Sequence, residues 1–195
     1  MFREEWLSRM ADKICCELFA CKGYKDRPKK IRFSCSLPSR GAFSETRRVL
    51  GQCWSEEASD DQTIEILISP TLGNALDAAS TLVHELVHVY VGIECGNGRI
   101  FRKCAVAVGL TGKMTETHAT PELQEFLNKC INELGEYPHA TLSNSNPRKK
   151  KQVNRYLKLV CCDGHPEFYV RATEKMLKSG TPLCGVCHKS MKLKK

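Results

Sequence analysis

The chain of 195 residues contains no apolar run near the ~18–20 residues that a membrane-spanning helix needs, so no membrane partner is expected. Its start, Met1-Phe2-Arg3-Glu4-Glu5-Trp6, lacks the basic opening and apolar stretch of a secretory signal. A cytoplasmic protein is expected instead of a secreted one. No internal repeat recurs at the spacing of solenoids or propellers. Acidic residues are scarce in one region only. Residues 141–195 hold 3 acids against 13 Lys and Arg, a net of +10, whereas residues 1–140 hold 19 acids and 17 bases, a net of −2. Such asymmetry points to a basic module facing a polyanion, most often nucleic acid. The plainer alternative is a solvated tail that aids solubility.

What is present is the composition of a globular protein: 42% hydrophobic and 27% charged residues. The length suits one domain, or one domain with a small appendage. Twelve cysteines in a chain without a secretory signal read as thiols or metal ligands, not as a disulfide framework. Cys15, Cys16, Cys21, Cys35, Cys53, Cys95, Cys104 and Cys130 show no short ligand spacing and read as small buried hydrophobes. Cys161, Cys162, Cys184 and Cys187 differ from these.

Apolar positions at Phe2, Trp6, Met10, Ile14 and Leu18 predict an amphipathic helix over 2–20, broken by Gly23 to Pro28. Alternation at Ile31, Phe33, Cys35 and Leu37 predicts a strand over 31–37, with further strands over 49–54 and 64–68. Together they suggest a small three-stranded sheet. Asn74 is an N-cap candidate, with Asp77 three residues on, for a helix over 75–93. Leu82, Leu86, Val89 and Ile93 form its buried stripe, and Gly96-Asn97-Gly98 is expected to end it. Shorter helices follow over 100–108 and 121–134. The Ser/Asn/Pro-rich stretch and lysine run across 141–154 read as a linker. The expected division is a domain over 1–140, a basic linker over 141–154, and a cysteine-bearing module over 155–195.

The long helix carries His84-Glu85-Leu86-Val87-His88. Four residues span about one turn, so both imidazoles project from one face and can hold a single Zn²⁺. Glu85 flanks that metal without ligating it. A carboxylate there can take a proton from water on the metal and pass it to a leaving amine. This is the H-E-x-x-H arrangement of zinc hydrolases. The plainer reading, two surface histidines, fits poorly with apolar Leu82, Val83, Leu86, Val87 and Val89 around them.

With Gly51-Gln52-Cys53-Trp54, Ile64-Glu65-Ile66-Leu67-Ile68-Ser69-Pro70, Thr81-Leu82-Val83 before the motif, Phe101-Arg102, and Gly109-Leu110-Thr111-Gly112-Lys113-Met114-Thr115, the chain resembles the SprT-like (Spartan-type) zinc metallopeptidases, especially the short bacterial and phage forms. The resemblance spans about residues 45–195 and implies an α+β, zincin-like peptidase with a basic zinc-ribbon-like tail. It also implies action on DNA-associated proteins. The chain departs from the family at one place. The family's third zinc ligand is a His within Gly-His-Gly, and the matching stretch here is Gly96-Asn97-Gly98. An amide oxygen at Asn97 is a weaker zinc ligand than imidazole. Three arrangements stay open: two His with a weak Asn97, a substitute ligand from Glu94, Cys95, Glu116 or His118, or a scaffold that has lost catalysis.

In the tail, Cys162-Asp163-Gly164-His165 and Cys184-Gly185-Val186-Cys187 lie 18 residues apart and match a Cys₃His structural zinc site. The adjacent Cys161 can replace Cys162 in this scheme. Free thiols in a loop are the alternative, although so short a module lacks a core without a staple. Lys and Arg within 148–195 would meet phosphates, and Phe168 and Tyr169 are candidates for stacking on unpaired bases or for the core of the ribbon, the core being the favoured place for Phe168. Two functions follow. One is a nucleoid-associated zinc endopeptidase with Zn²⁺ on His84, His88 and Asn97, Glu85 as acid–base residue, and a second, structural Zn²⁺ in the tail. The other is a non-catalytic nucleic-acid-binding protein on a degenerate peptidase scaffold.

Overall fold

The computed structural model describes residues 1–24, 30–143, 156–165 and 167–194. The chain divides into two compact units, Met1–Asn144 and Ser145–Lys195. From residue 144 onward, the linker expected over 141–154 lies outside the described residues. Among those described, no helix is long and apolar enough to cross a membrane. The architecture is mixed α+β.

The first unit opens with helix α1 (Arg3–Lys13), prolonged by a π-helical turn (Ile14–Phe19) and a 3₁₀ turn (Ala20–Lys22). Gly23, at φ 89°, takes the left-handed conformation that stops it. Trp6, Met10 and Ile14 are wholly buried, as the periodicity predicts, but Phe2 lies outside the core. Strands β1 (Ile31–Cys35), β2 (Gly51–Trp54) and β3 (Ile64–Ile68) form one sheet in the order β1-β3-β2. β3 pairs in parallel with β1 and antiparallel with β2, with Phe33 opposite Ile66 and Cys53 opposite Ile66 on the other side. The three strands are those expected, but each outer one is shorter. β1 ends before Leu37, which is exposed, and Val49 leaves the sheet to donate to the Gly41 carbonyl.

Helix α2 (Ala75–Val91) starts as its sequence dictates: the Asn74 side chain accepts from the Asp77 N–H at 3.1 Å. It stops earlier than expected. Gly92, at φ 90°, breaks it, not Gly96-Asn97-Gly98. The Ile93–Cys95 turn then leads into α3 (Arg99–Ala107). A hairpin of β4 (Leu110–Lys113) and β5 (Glu116–Ala119) follows, and the Thr120 hydroxyl caps α4 (Pro121–Leu134). Leu82, Val83, Leu86 and Val87 of α2 are fully buried, in one core with Ile66 and Ile68 of the sheet, Phe101 of α3 and Leu127 of α4.

The stretch after α4 is fastened to α1 and to the loop before α2. Trp6 Nε1 donates to the Gly135 carbonyl at 2.8 Å, and the Trp6 and Tyr137 rings lie 4.9 Å apart. His139 Nε2 donates to the Pro70 carbonyl at 2.8 Å, and the Leu142 N–H donates to the same oxygen at 2.7 Å. The loop that delivers the chain to α2 is thereby held in place.

The second unit is a three-stranded antiparallel sheet of β6 (Tyr156–Val160), β7 (Tyr169–Thr173) and β8 (Lys192–Leu193), with the short helix α5 (Glu174–Ser179). Among its described residues, the buried core is Leu159, Ala172, Cys184 and Met191. None of the twelve cysteines is in a disulfide. Of the eight read as buried hydrophobes, Cys15, Cys104 and Cys130 are buried, whereas Cys16 and Cys21 are exposed.

Removing the indole should show how far the first unit depends on its N-terminal helix. Trp6→Ala leaves a cavity and an unpaired Gly135 carbonyl, and should cost about 3–5 kcal/mol. The check is the urea midpoint of the helical circular dichroism. An unchanged midpoint would detach α1 from the cooperative core.

Candidate active site and tail metal centre

His84 and His88 stand one turn apart on α2, with ring centroids 5.3 Å apart. The Phe101 ring of α3 packs against both, at 4.9 Å from His84 and 4.4 Å from His88. His84 Nδ1 is hydrogen-bonded to Thr117 Oγ1 of β5 at 2.9 Å. His88 Nδ1 is buried and has no hydrogen-bond partner. Burial, and then the neighbouring His88, pulls the His84 pKa down to about 4; burial lowers that of His88. Both rings are therefore neutral at pH 7 and keep lone pairs for a Lewis acid. An orphaned ring nitrogen inside a neutral imidazole pair fits a metal site.

Glu85 points elsewhere. Its side chain is 5% exposed and lies against β2, where a Cβ on Gly51 would collide with its carboxylate and come within 2.8 Å of Thr81 Cγ2. Only glycine at position 51 allows the strand so close. Burial raises the Glu85 pKa to about 8. The Cys53 thiol is pushed up to about 12, first by burial and then by the Glu85 carboxylate. A carboxyl held near neutrality is matched to proton transfer at physiological pH. A cation on the adjacent imidazoles would draw it back down.

The substitute ligands named from sequence are not brought to this pair. Among the described residues, no third His, Cys, Asp or Glu joins His84 and His88 in a group able to share a metal. The Glu94 carboxylate folds back onto Gly92, where any Cβ would strike it. Cys95 Sγ donates to the Val91 carbonyl at 3.1 Å. Glu116 and His118 are exposed, because residues on β5 alternate and Thr117 takes the side facing α2. Asn97 is exposed in the turn just before α3. Thr117 and Phe101 surround the histidines, yet neither was given a role from sequence. The hairpin that carries Thr117 has a readable signal only in the glycine-punctuated run at Gly109 to Gly112.

In the tail, Cys161, His165, Cys184 and Cys187 form a group that could hold a metal ion, with all ligand atoms within 4.8 Å of one another. Cys161 Sγ lies 3.5 Å from both Cys187 Sγ and His165 Nδ1. The thiolate of Cys184 is favoured chiefly by the backbone N–H of Cys187. Cys162, the residue first assigned to this site, is exposed and outside the group. The reason is strand parity. Leu157, Leu159 and Cys161 share one side of β6 and its continuation, so Cys161 follows the buried Leu159 inward while Cys162 turns out.

Comparison with protein-family models, with curated proteins and with solved structures finds no match to this chain.

The parity of β6 separates two adjacent thiols. Cys161→Ser should strip the metal from the tail and unfold its small sheet, whereas Cys162→Ser should leave both intact. Metal content per chain and the amide spectrum of residues 156–194 read the outcome. Equal loss in both variants would refute the inward assignment of Cys161.

Proposed function

We propose that the chain is a zinc-dependent endopeptidase of the SprT-like type that acts on proteins associated with DNA. The observation that carries this reading is the packing of His84 and His88, one turn apart on α2, against Phe101, with Glu85 buried on the same helix between them in sequence. His84 and His88 would hold the zinc, with Asn97 as the remaining candidate donor. Zinc, when bound, supplies a Lewis acid that acidifies water and polarises a peptide carbonyl. Glu85 takes the proton of the attacking water and returns it to the departing amine nitrogen. Phe101 keeps bulk water from the inner faces of both rings, which strengthens charge interactions there.

The tail supplies the partner. Three thiolates and one imidazole are a donor set suited to zinc, and a closed set of four does no chemistry. It would hold together a sheet whose own core is very small. Tyr156, Lys158, Tyr169 and Arg171 lie on the sheet side opposite the buried Leu159 and Ala172. Lys158 Nζ sits 4.1 Å above the Tyr169 ring. Phe168 leans instead on Gly185, where a Cβ would come within 2.8 Å of the ring. A cationic surface with exposed aromatics suits a phosphate backbone and its bases. Tethering there would raise the local concentration of DNA-bound substrates.

A second reading is favoured by the missing third donor from His, Cys, Asp or Glu among the described residues. It is a nucleic-acid-binding protein on a peptidase scaffold that no longer cleaves. Zinc stoichiometry separates the two: two zinc per chain for the peptidase, one for the binding protein. Glu85→Gln should abolish cleavage of an unstructured protein while both zinc ions remain. Undiminished cleavage would remove Glu85 from the mechanism.

The charge division gives a separate expectation. Deleting residues 148–195 should abolish DNA binding together with its salt dependence, which follows log[salt] with a slope of roughly 0.9 per neutralised phosphate on duplex. Titration of labelled DNA at several salt concentrations is the check. Equal, salt-sensitive binding by residues 1–147 would refute a role for the tail.

A further inference from the structure

We infer that Thr117 is a positioning residue for His84: its hydroxyl oxygen accepts the imidazole Nδ1–H and leaves Nε2 bare as the metal donor. The inference rests on the reading of His84 and His88 as ligands, and adds to it the group that sets which nitrogen does the work.

The two histidines are not equivalent. His84 Nδ1 meets Thr117 Oγ1 at 2.9 Å, whereas His88 Nδ1 is buried without a partner. A neutral imidazole carries one ring proton, and the hydrogen bond made by one nitrogen decides whether the other is a donor or a lone pair. A free histidine side chain in water prefers the proton on Nε2, the nitrogen that ligation would need bare. An acceptor at Nδ1 reverses that preference. This is the usual support of a metal-bound histidine, supplied here by a hydroxyl.

The strand that bears Thr117 is well anchored. Leu110 is buried and pairs with Ala119 across the hairpin. The Thr120 N–H donates to the Gly109 carbonyl at 2.9 Å, and Gln124 Nε2 donates to the Ala119 carbonyl at 2.9 Å. Thr120 then caps α4, whose Leu123 and Leu127 are core residues. β5 is thus tied at its C-terminal end to the same core as α2. Alternation turns Glu116 and His118 outward and leaves the Thr117 hydroxyl as the polar group that β5 offers to His84. The neighbouring Phe101 ring, 4.9 Å from His84, contributes no competing acceptor.

The test compares the full-length wild type with Thr117→Val, which keeps the shape and removes the hydroxyl, and with Thr117→Ser, which restores it. Long-range ¹H–¹⁵N correlation on chelator-treated protein at neutral pH reports the tautomer of each histidine, and His84→Gln assigns the signal. Zinc affinity of the thiol-free site is read by chelator competition after the tail is filled. The expected result is an Nδ1–H tautomer in wild type and Thr117→Ser. Thr117→Val should shift to Nε2–H, with zinc bound ~10–100-fold more weakly and helical circular dichroism unchanged. An Nε2–H tautomer in the wild type, or a tautomer indifferent to Thr117→Val, would overturn the inference. Uptake of only one zinc by the wild type would instead defeat the peptidase reading, and the tautomer, measured without metal, would still decide the role of Thr117.

Discussion

Helix α2 is enclosed almost all round, and the rest of the first unit is arranged around that fact. From Ala78 to Val91 no residue of this helix is exposed. Polar groups placed on it are taken out of water, where an unpaired carboxylate or imidazolium is costly. The same environment that would destabilise an idle Glu85 is what places its pKa near 8. Two imidazoles kept neutral and a carboxyl kept near neutrality suit the proposed zinc and proton transfer. The burial that holds the fold together is therefore also what tunes the site.

Close approach between backbone elements makes that burial possible. Gly51 lets edge strand β2 lie against the Glu85 carboxylate and the Thr81 methyl. Gly92 ends α2 at a positive φ of 90° and gives the Glu94 side chain room to fold back. The chain can then reverse within a few residues and present Phe101 to the two histidines. From the far side, the β4–β5 hairpin brings Thr117 to His84. Sheet edge, following helix and hairpin each contribute a neighbour to α2: β2 to Glu85, α3 to both histidines and the hairpin to His84.

The elements most legible in the sequence were those whose periodicity and caps agree. Asn74 with Asp77 starts α2 as read, and Pro121 opens α4. The three strands of the first sheet were visible by alternation. Their order, with β3 central and parallel to β1, depends on long-range packing that alternation does not encode. The end of α2 was misplaced because Gly96 and Gly98 form a stronger local cluster than the lone Gly92, yet Gly92 comes first. His84, Glu85 and His88 were legible because i, i+4 spacing on one helix is local. Thr117 was not, since 33 residues separate it from His84 and a single threonine carries no pattern. Cys161 was weighed against Cys162 on spacing alone. The parity of Leu157 and Leu159 would have chosen it.

The two candidate metal centres differ in how their donors are delivered, and that difference fits opposite roles. In the tail, the four donors supplement a core that, among the described residues, holds Leu159, Ala172 and Met191 besides the donor Cys184. Every donor position there belongs to the protein, so a metal gains folding energy and has no vacancy for substrate. On α2, two donors stand on a helix already fixed by an extensive core, and none of their neighbours among the described His, Cys, Asp and Glu completes the set. A zinc held there as proposed would add little to a fold that does not need it, and would keep positions for water or a carbonyl oxygen. Loose retention is the counterpart of that openness. With so few protein donors in the proposed centre, the orientation of each imidazole would have greater weight, and the hydrogen bond that fixes His84 would count as much as the ligand itself.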